Sequence, residues 1–271
     1  SRQQKYRIKR ILTVIALVFL IIALAGPQIG SRLVEIKRRG IDIIIAVDCS
    51  LSMKAEDIKP NRITRAKEEL ISFIDKLDGD RIGIIAFAGT AFLQCPLTLD
   101  YTAARMFISL IDVGLIPHPG TAIGSAIRLA IKSFSRKERK YKVLILLTDG
   151  EDHKSQPISA ANEAKKEGIK IFTIGIGSPE GELIPLRDEE GKLTGYKKNK
   201  KGETVTTKLD EMLLRKIALI TEGKYYHAGN EQWEIDRIYN EIKKMEQKEL
   251  KSLLHTQFEH RFQYFVFLAI I

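Results

Sequence analysis

The sequence runs to 271 residues with 44% hydrophobic content and a formal charge of +10, which gives room for one large packed domain with appendages and excludes a disordered chain. Its lysines and arginines are scattered through helix-like stretches and one loop, and much of the excess sits beside the first apolar segment. This argues against a nucleic-acid-binding face.

No charged residue falls within residues 11–31, a stretch that as a helix rises about 30 Å and crosses a bilayer. A cleavable secretory signal ending near Ala23-Leu24-Ala25 is the alternative. A second charge-free run, residues 262–271, favours an anchor, because the sequence stops inside it as if a further membrane helix began there. Opening on Ser1 instead of Met, the chain reads as a fragment trimmed at both ends. The expected organisation is a basic flank and transmembrane helix (1–31), a connector (32–40), a folded domain (41–247) and a linker with the start of a C-terminal transmembrane helix (248–271). Arg2, Lys5, Arg7, Lys9 and Arg10 slightly outweigh Arg32, Lys37, Arg38 and Arg39. That balance puts the N-terminus in the cytoplasm and the domain outside.

Residues 41–47 form an apolar, β-branched run that reads as a buried parallel strand. Asp48-Cys49-Ser50-Leu51-Ser52 follows at its carboxyl end, where open α/β sheets bind ligands. Pro60 and Asn61 announce a helix over 62–77 with Ile63, Ala66, Leu70, Phe73 and Ile74 on its apolar stripe. A second buried strand is expected over 82–88, and an edge strand over 91–97, where Pro96 limits pairing. Asp100 caps a helix over 100–113 with Ala103, Met106, Phe107, Leu110 and Ile111 as its expected inner face. A rigid loop, 114–120, leads into Thr121 and a helix over 121–134.

A third strand, 141–147, ends in Thr148-Asp149-Gly150. A helix (158–167), a strand (169–176), a helix (209–221), a short strand (224–227) and a charged closing helix (231–247) complete the series, with Trp233 and Tyr239 at core-like spacing on the last. Strand and helix alternate almost throughout. The fold class is therefore α/β, a doubly wound, mainly parallel sheet with helices on both faces. Residues 178–208 break the rhythm, being glycine-punctuated and heavily charged, and read as an inserted β-hairpin laid over the domain.

Asp48, Ser50, Ser52, Thr121 and Asp149 all fall on loops expected at carboxyl ends of one sheet. Two carboxylates and three hydroxyls suit a hard cation and offer no nitrogen or sulfur to a softer one. The set resembles the von Willebrand factor A domain family, in which Asp-x-Ser-x-Ser, a distant Thr and a distant Asp form the metal-ion-dependent adhesion site. The resemblance implies Mg²⁺, or another divalent cation such as Mn²⁺ or Ca²⁺. It implies direct ligation by Ser50 and Ser52, with Thr121 joining in the ligand-engaged state and Asp48 and Asp149 acting partly through water. It also implies a partner protein that completes the shell with an acidic side chain.

The segments Gly181-Glu182-Leu183-Ile184-Pro185, Gly195-Tyr196-Lys197-Lys198, Ile238-Tyr239-Asn240-Glu241-Ile242 and Arg261-Phe262-Gln263-Tyr264-Phe265 extend the likeness to the bacterial aerotolerance-type (Bat) membrane proteins. This implies a place in the inner membrane with the domain facing the periplasm. It also implies other Bat-type proteins and a MoxR-type AAA+ ATPase as partners, in an envelope stress or protein-assembly system. The chain itself carries no Gly-x-x-x-x-Gly-Lys-Ser/Thr loop. A phosphatase-like hydrolase using Asp48 as nucleophile is the competing class, and Ser50 stands where such an enzyme carries its acid/base aspartate. A third reading is a metal site that is structural or vestigial. Cys49 and Cys95 have neither metal-ligand spacing nor a disulfide framework, and are expected to be free and buried. His118 and His153 lie near the site in sequence, with no support for ligation.

Overall fold

The structure is a computed structural model that describes residues 2–24, 28–31, 40–134, 141–152, 155–188, 190–228, 237–244, 258–260 and 267. It divides into two compact units, Arg38–Glu246 and a second made of Ser1–Lys37 with Gln247–Ile271.

In the larger unit, six strands form one sheet. They are β2 (Asp42–Asp48), β3 (Arg81–Phe87), β4 (Ala91–Thr98), β5 (Lys142–Thr148), β6 (Ile169–Ile176) and β11 (Tyr225–Ala228), in the order β11-β6-β5-β2-β3-β4. All neighbours are parallel except the β3–β4 pair, whose register shifts along its length. Every residue of β2 is buried, as a central strand covered on both faces requires. Ile43, Ile45 and Val47 face one apolar layer, and Ile44 and Ala46 the other. Each of these isoleucine and valine side chains contributes about 1.5–3 kcal/mol through burial.

The first layer is built from α2 (Arg62–Ile74), α3 (Tyr101–Leu110) and the helical residues 237–244. α4 (Ile123–Ser133), α5 (Pro157–Lys166) and α6 (Glu211–Ile220) make the second. The doubly wound sheet read from the sequence is the observed one. α2 and α3 start where capping chemistry places them: the side chain of Asn61 accepts from the Thr64 amide and that of Asp100 from the Ala103 amide. On α3 the inner face differs from expectation. Ala104 and Ile108 are buried, joined by Ile111 just beyond the helix, while Met106 and Leu110 are exposed. The apolar residues on this helix are numerous enough to support two phases, and packing against β3 and β4 selects one.

The insertion folds as two small antiparallel pairs, β7 (Glu182–Leu183) with β10 (Thr206–Thr207) and β8 (Pro185–Arg187) with β9 (Leu193–Tyr196). In the smaller unit, α1 spans Arg2–Leu24 and exposes Ile11, Leu12, Val14, Leu17 and Leu20. Where the sequence leads one to expect a helix running on to Ser31, β1 (Gln28–Ser31) is a strand paired antiparallel with β12 (Phe258–His260). Among the described residues no helix is long and apolar enough to cross a membrane. Of the expected C-terminal span, only Phe267 is described.

Candidate metal centre

The chain runs outward from β2 in one direction through β3 and β4, and in the other through β5, β6 and β11. The reversal opens a switch point between the carboxyl ends of β2 and β5, the place where α/β sheets receive ligands. Asp48 ends β2 there, and Asp149 follows β5; both are fully buried.

Asp48 is held at both oxygens: Oδ1 accepts from the Ser50 amide at 2.8 Å and Oδ2 from Thr148 Oγ1 at 2.6 Å. Ser50 leads into a short 3-10 turn, Leu51–Lys54, that brings Ser52 round so that the two serine hydroxyls lie 2.9 Å apart. Burial, followed by the Asp149 carboxylate, pushes the Asp48 pKa up to about 7. A second negative charge is thus costly in this corner unless something cationic offsets it.

Asp149 has one cationic neighbour already. Arg62, fully buried at the start of α2, donates from Nη1 to Asp149 Oδ2 at 3.3 Å and to the Ser52 carbonyl at 3.5 Å. The other side of its guanidinium grips Asp57 bidentately, at 2.8 and 2.7 Å. Thr207 Oγ1 also donates to Asp149 Oδ2, at 2.9 Å, and accepts from Arg62 Nη1 at 3.2 Å. Gly177, at φ +120° after β6, lies so close that a Cβ there would sit 2.4 Å from the guanidinium carbon.

Thr121 reaches the same end of the sheet from a third side. The Gly89 amide, just past β3, donates to the His118 carbonyl at 3.0 Å and pins the preceding loop. From the other side, Asp152 Oδ2 accepts the Ile123 amide at 2.8 Å and Ser155 Oγ the Gly124 amide at 2.6 Å, fixing the first turn of α4. Thr121 is half-buried and lines a cavity of about 490 Å³ together with Gly89, Pro119, Ser125, Glu151 and Ser155. Its hydroxyl has no hydrogen-bond partner among the described residues.

Two aspartates and hydroxyl groups, with no sulfur or imidazole in the hydrogen-bonded set, fit a hard divalent cation by donor chemistry. Among the described residues there is no cluster of three or more His, Cys, Asp or Glu side chains able to hold a metal ion. Cys49 is buried, and burial with the Asp48 charge pushes its thiol up to about 12, far from a reactive thiolate. Cys95 is likewise free and buried. His118 is exposed, and His153 lies outside the described residues.

Residues 42–241 match the von Willebrand factor type A domain family. A crystal structure of a conserved hypothetical protein BatB from Bacteroides thetaiotaomicron is 40% identical, with a TM-score of 0.72 over 76% of this chain and 98% of that one. The chain belongs to the von Willebrand A family, among its Bat-type members. An aerotolerance-related membrane protein from Bacteroides fragilis, at 36% identity and a TM-score of 0.71, covers 76% of this Bat-type chain and 100% of its own. Proximal thread matrix protein 1 from the mussel byssus, described with a zinc-occupied MIDAS motif, shares the fold of the Bat-type domain at 22% identity and a TM-score of 0.53, over 76% of this chain and 45% of that one.

Arg62, Asp57, Thr148, Asp152 and Thr207 escape a reading of the Bat-type sequence alone. Thr148 had a signal, since it adjoins Asp149 at a strand end. Arg62 had none, because nothing local distinguishes a buried arginine at a helix start from an exposed one.

Proposed function

We propose that this is a membrane-anchored, noncatalytic adhesion module that captures a partner protein through a divalent cation, with Mg²⁺ as the physiological ion. The observation that carries the reading is the convergence of Asp48, Ser50, Ser52 and Asp149 at the switch point of the sheet, with the two serine hydroxyls 2.9 Å apart. Ser50, Ser52 and Thr121 are the proposed direct ligands. Asp48 and Asp149 act from behind them, Asp48 by orienting the Ser50 amide and both by supplying negative charge. The bound cation supplies an electrophilic position for an acidic oxygen of the partner. The zinc-occupied MIDAS motif of the byssus protein supports metal binding by this fold.

The surroundings of Asp48 favour grasping over phosphoryl transfer. A nucleophilic carboxylate needs an open oxygen, whereas both oxygens of Asp48 are engaged and the residue is fully buried. The partners are a protein presenting an acidic side chain, other Bat-type membrane proteins, and a MoxR-type AAA+ ATPase acting in the same envelope system. The charge-free run of residues 11–31 is the proposed anchor in a bacterial inner membrane, with the domain on the periplasmic side.

A pulldown from solubilised membranes with this chain as bait tests the reading. Partner retention is expected with Mg²⁺, and is lost in EDTA and in Asp48→Ala. Retention that survives both treatments points instead to a structural or vestigial site, and turnover of a phosphoryl substrate by the purified chain overturns the noncatalytic assignment.

A further inference from the structure

The segment 178–208 cannot build a core of its own. Its strand pairs are two to four residues long, and isolated hairpins of this size are marginal in water. Ile184, Pro185 and Thr207 are its buried members among mostly exposed neighbours. Its order therefore depends on what it touches in the domain.

Those contacts concentrate on one place. The neck is closed by the Leu209 amide donating to the Ser178 carbonyl at 3.1 Å. On the entering side, the Ser178 amide donates to Asp57 Oδ2 at 2.7 Å. On the leaving side, Thr207 donates to Asp149 Oδ2 at 2.9 Å, the Lys208 amide to Glu151 Oε1 at 2.9 Å and the Asp210 amide to the Asp149 carbonyl at 2.8 Å. Arg187 of β8 grips Glu56 Oε1 at 3.0 and 2.7 Å. Glu56 and Asp57 follow the turn that carries Ser52, and Glu151 follows Asp149. Arg62 joins the two sides, bound at once to Asp57, Asp149 and Thr207.

A hydroxyl has a single proton to give. Thr207 lies 3.4 Å from Glu151 Oε2 and 2.9 Å from Asp149 Oδ2, so the shorter contact takes the proton. With Arg62 on the same oxygen, Asp149 Oδ2 is committed to the insertion. Oδ1, which accepts a 3.2 Å bond from the Glu151 amide, is the oxygen left to serve a cation or its water.

We propose that the inserted segment is a working part of the cation site, Thr207 being the positioning residue that commits one oxygen of Asp149 and so ties docking of the segment to cation binding. This rests on the cation reading above. By linkage, a cation that favours one arrangement of Asp149 favours the docked insertion, and docking raises cation affinity by the same factor. A partner that grips the insertion would then sense whether the site is loaded.

The test uses the whole chain in detergent, with Mn²⁺ as probe and two readouts. These are cation affinity by loss of the free Mn²⁺ electron paramagnetic resonance signal, and amide hydrogen exchange over residues 182–207. The wild type is expected to bind one Mn²⁺ and to slow exchange in the insertion about fivefold when loaded. Thr207→Val is expected to bind about tenfold more weakly and to lose the cation-dependent slowing, while the exchange of β5 amides stays unchanged. Thr207→Ser, which keeps the hydroxyl, restores both. Wild-type affinity together with wild-type slowing in Thr207→Val overturns the proposal. A wild type that binds no Mn²⁺ sinks the cation reading instead. The tie to Asp149 is then decided in metal-free protein: faster insertion exchange in Thr207→Val sustains it, and equal exchange ends it.

Discussion

At the scale of single residues, Arg62 is a fully buried guanidinium held by four groups. A guanidinium out of water needs compensation at each face, which Asp57, Asp149, Thr207 and the Ser52 carbonyl supply. Burial works to raise the pKa of Asp57, but the hydrogen bonds and charge of Arg62 outweigh it and leave the carboxyl below its ordinary value of 3.8. A lowered carboxylate contributes stability that is present above its unfolded pKa and is lost as pH falls through the folded one. Asp57→Asn removes that contribution and leaves Asp149 as the remaining carboxylate on Arg62. Breaking one partner of a buried pair costs about 3–5 kcal/mol, and the lower end is expected here because Asp149 remains. Urea unfolding at pH 7 should show that loss, and the gap to wild type should narrow as pH drops below about 3.8, the unfolded value. A gap independent of pH would remove the carboxylate from the account.

At the scale of elements, Gly89 shows how a turn after one strand delivers a residue of a distant loop. A Cβ at this position would meet the Pro119 carbonyl oxygen at 2.5 Å and that of His118 at 2.8 Å, both backbone atoms that cannot step aside alone. Gly89→Ala should therefore push the 118–120 loop outward and carry Thr121 with it. Overpacking of this kind costs about 1–3 kcal/mol. Mn²⁺ affinity should fall more than that stability loss implies when set against a variant of equal stability elsewhere, such as Ile108→Val in α3. Equal affinity in the two variants would separate Thr121 from the site.

Legibility at this scale followed burial. The strands of the sheet announce themselves because a fully covered strand admits almost nothing but Ile, Leu, Val and Ala. Helix starts at Asn61 and Asp100 were legible because capping is local chemistry. The inner face of α3 was not, since Met106 and Leu110 are as apolar as the residues that packing preferred.

At the scale of the molecule, the division into two units predicts that Arg38–Glu246 folds without the rest. Expressed alone, it should unfold in one cooperative step and bind Mn²⁺ with the affinity of the full chain. Loss of either would show that the smaller unit supports the site. The full chain should sediment with membranes and resist alkaline extraction, while Arg38–Glu246 stays in the supernatant, as expected if the charge-free run 11–31 anchors it. Recovery of the full chain in the soluble fraction would refute the anchor.

By itself the sequence determined the sheet, its helical layers and the candidate oxygen donors, because strand burial, capping and the Asp-x-Ser-x-Ser spacing are properties of neighbouring residues. Only the tertiary structure decided that Arg62 and Thr207 share an oxygen of Asp149, across 87 and 58 positions of sequence. It also decided where the charged insertion, read from the sequence as laid over the domain, is moored: beside the candidate site. Such contacts leave no local trace: a buried arginine or threonine looks like an exposed one until the chain folds back, and the need for a partner appears only when water is excluded.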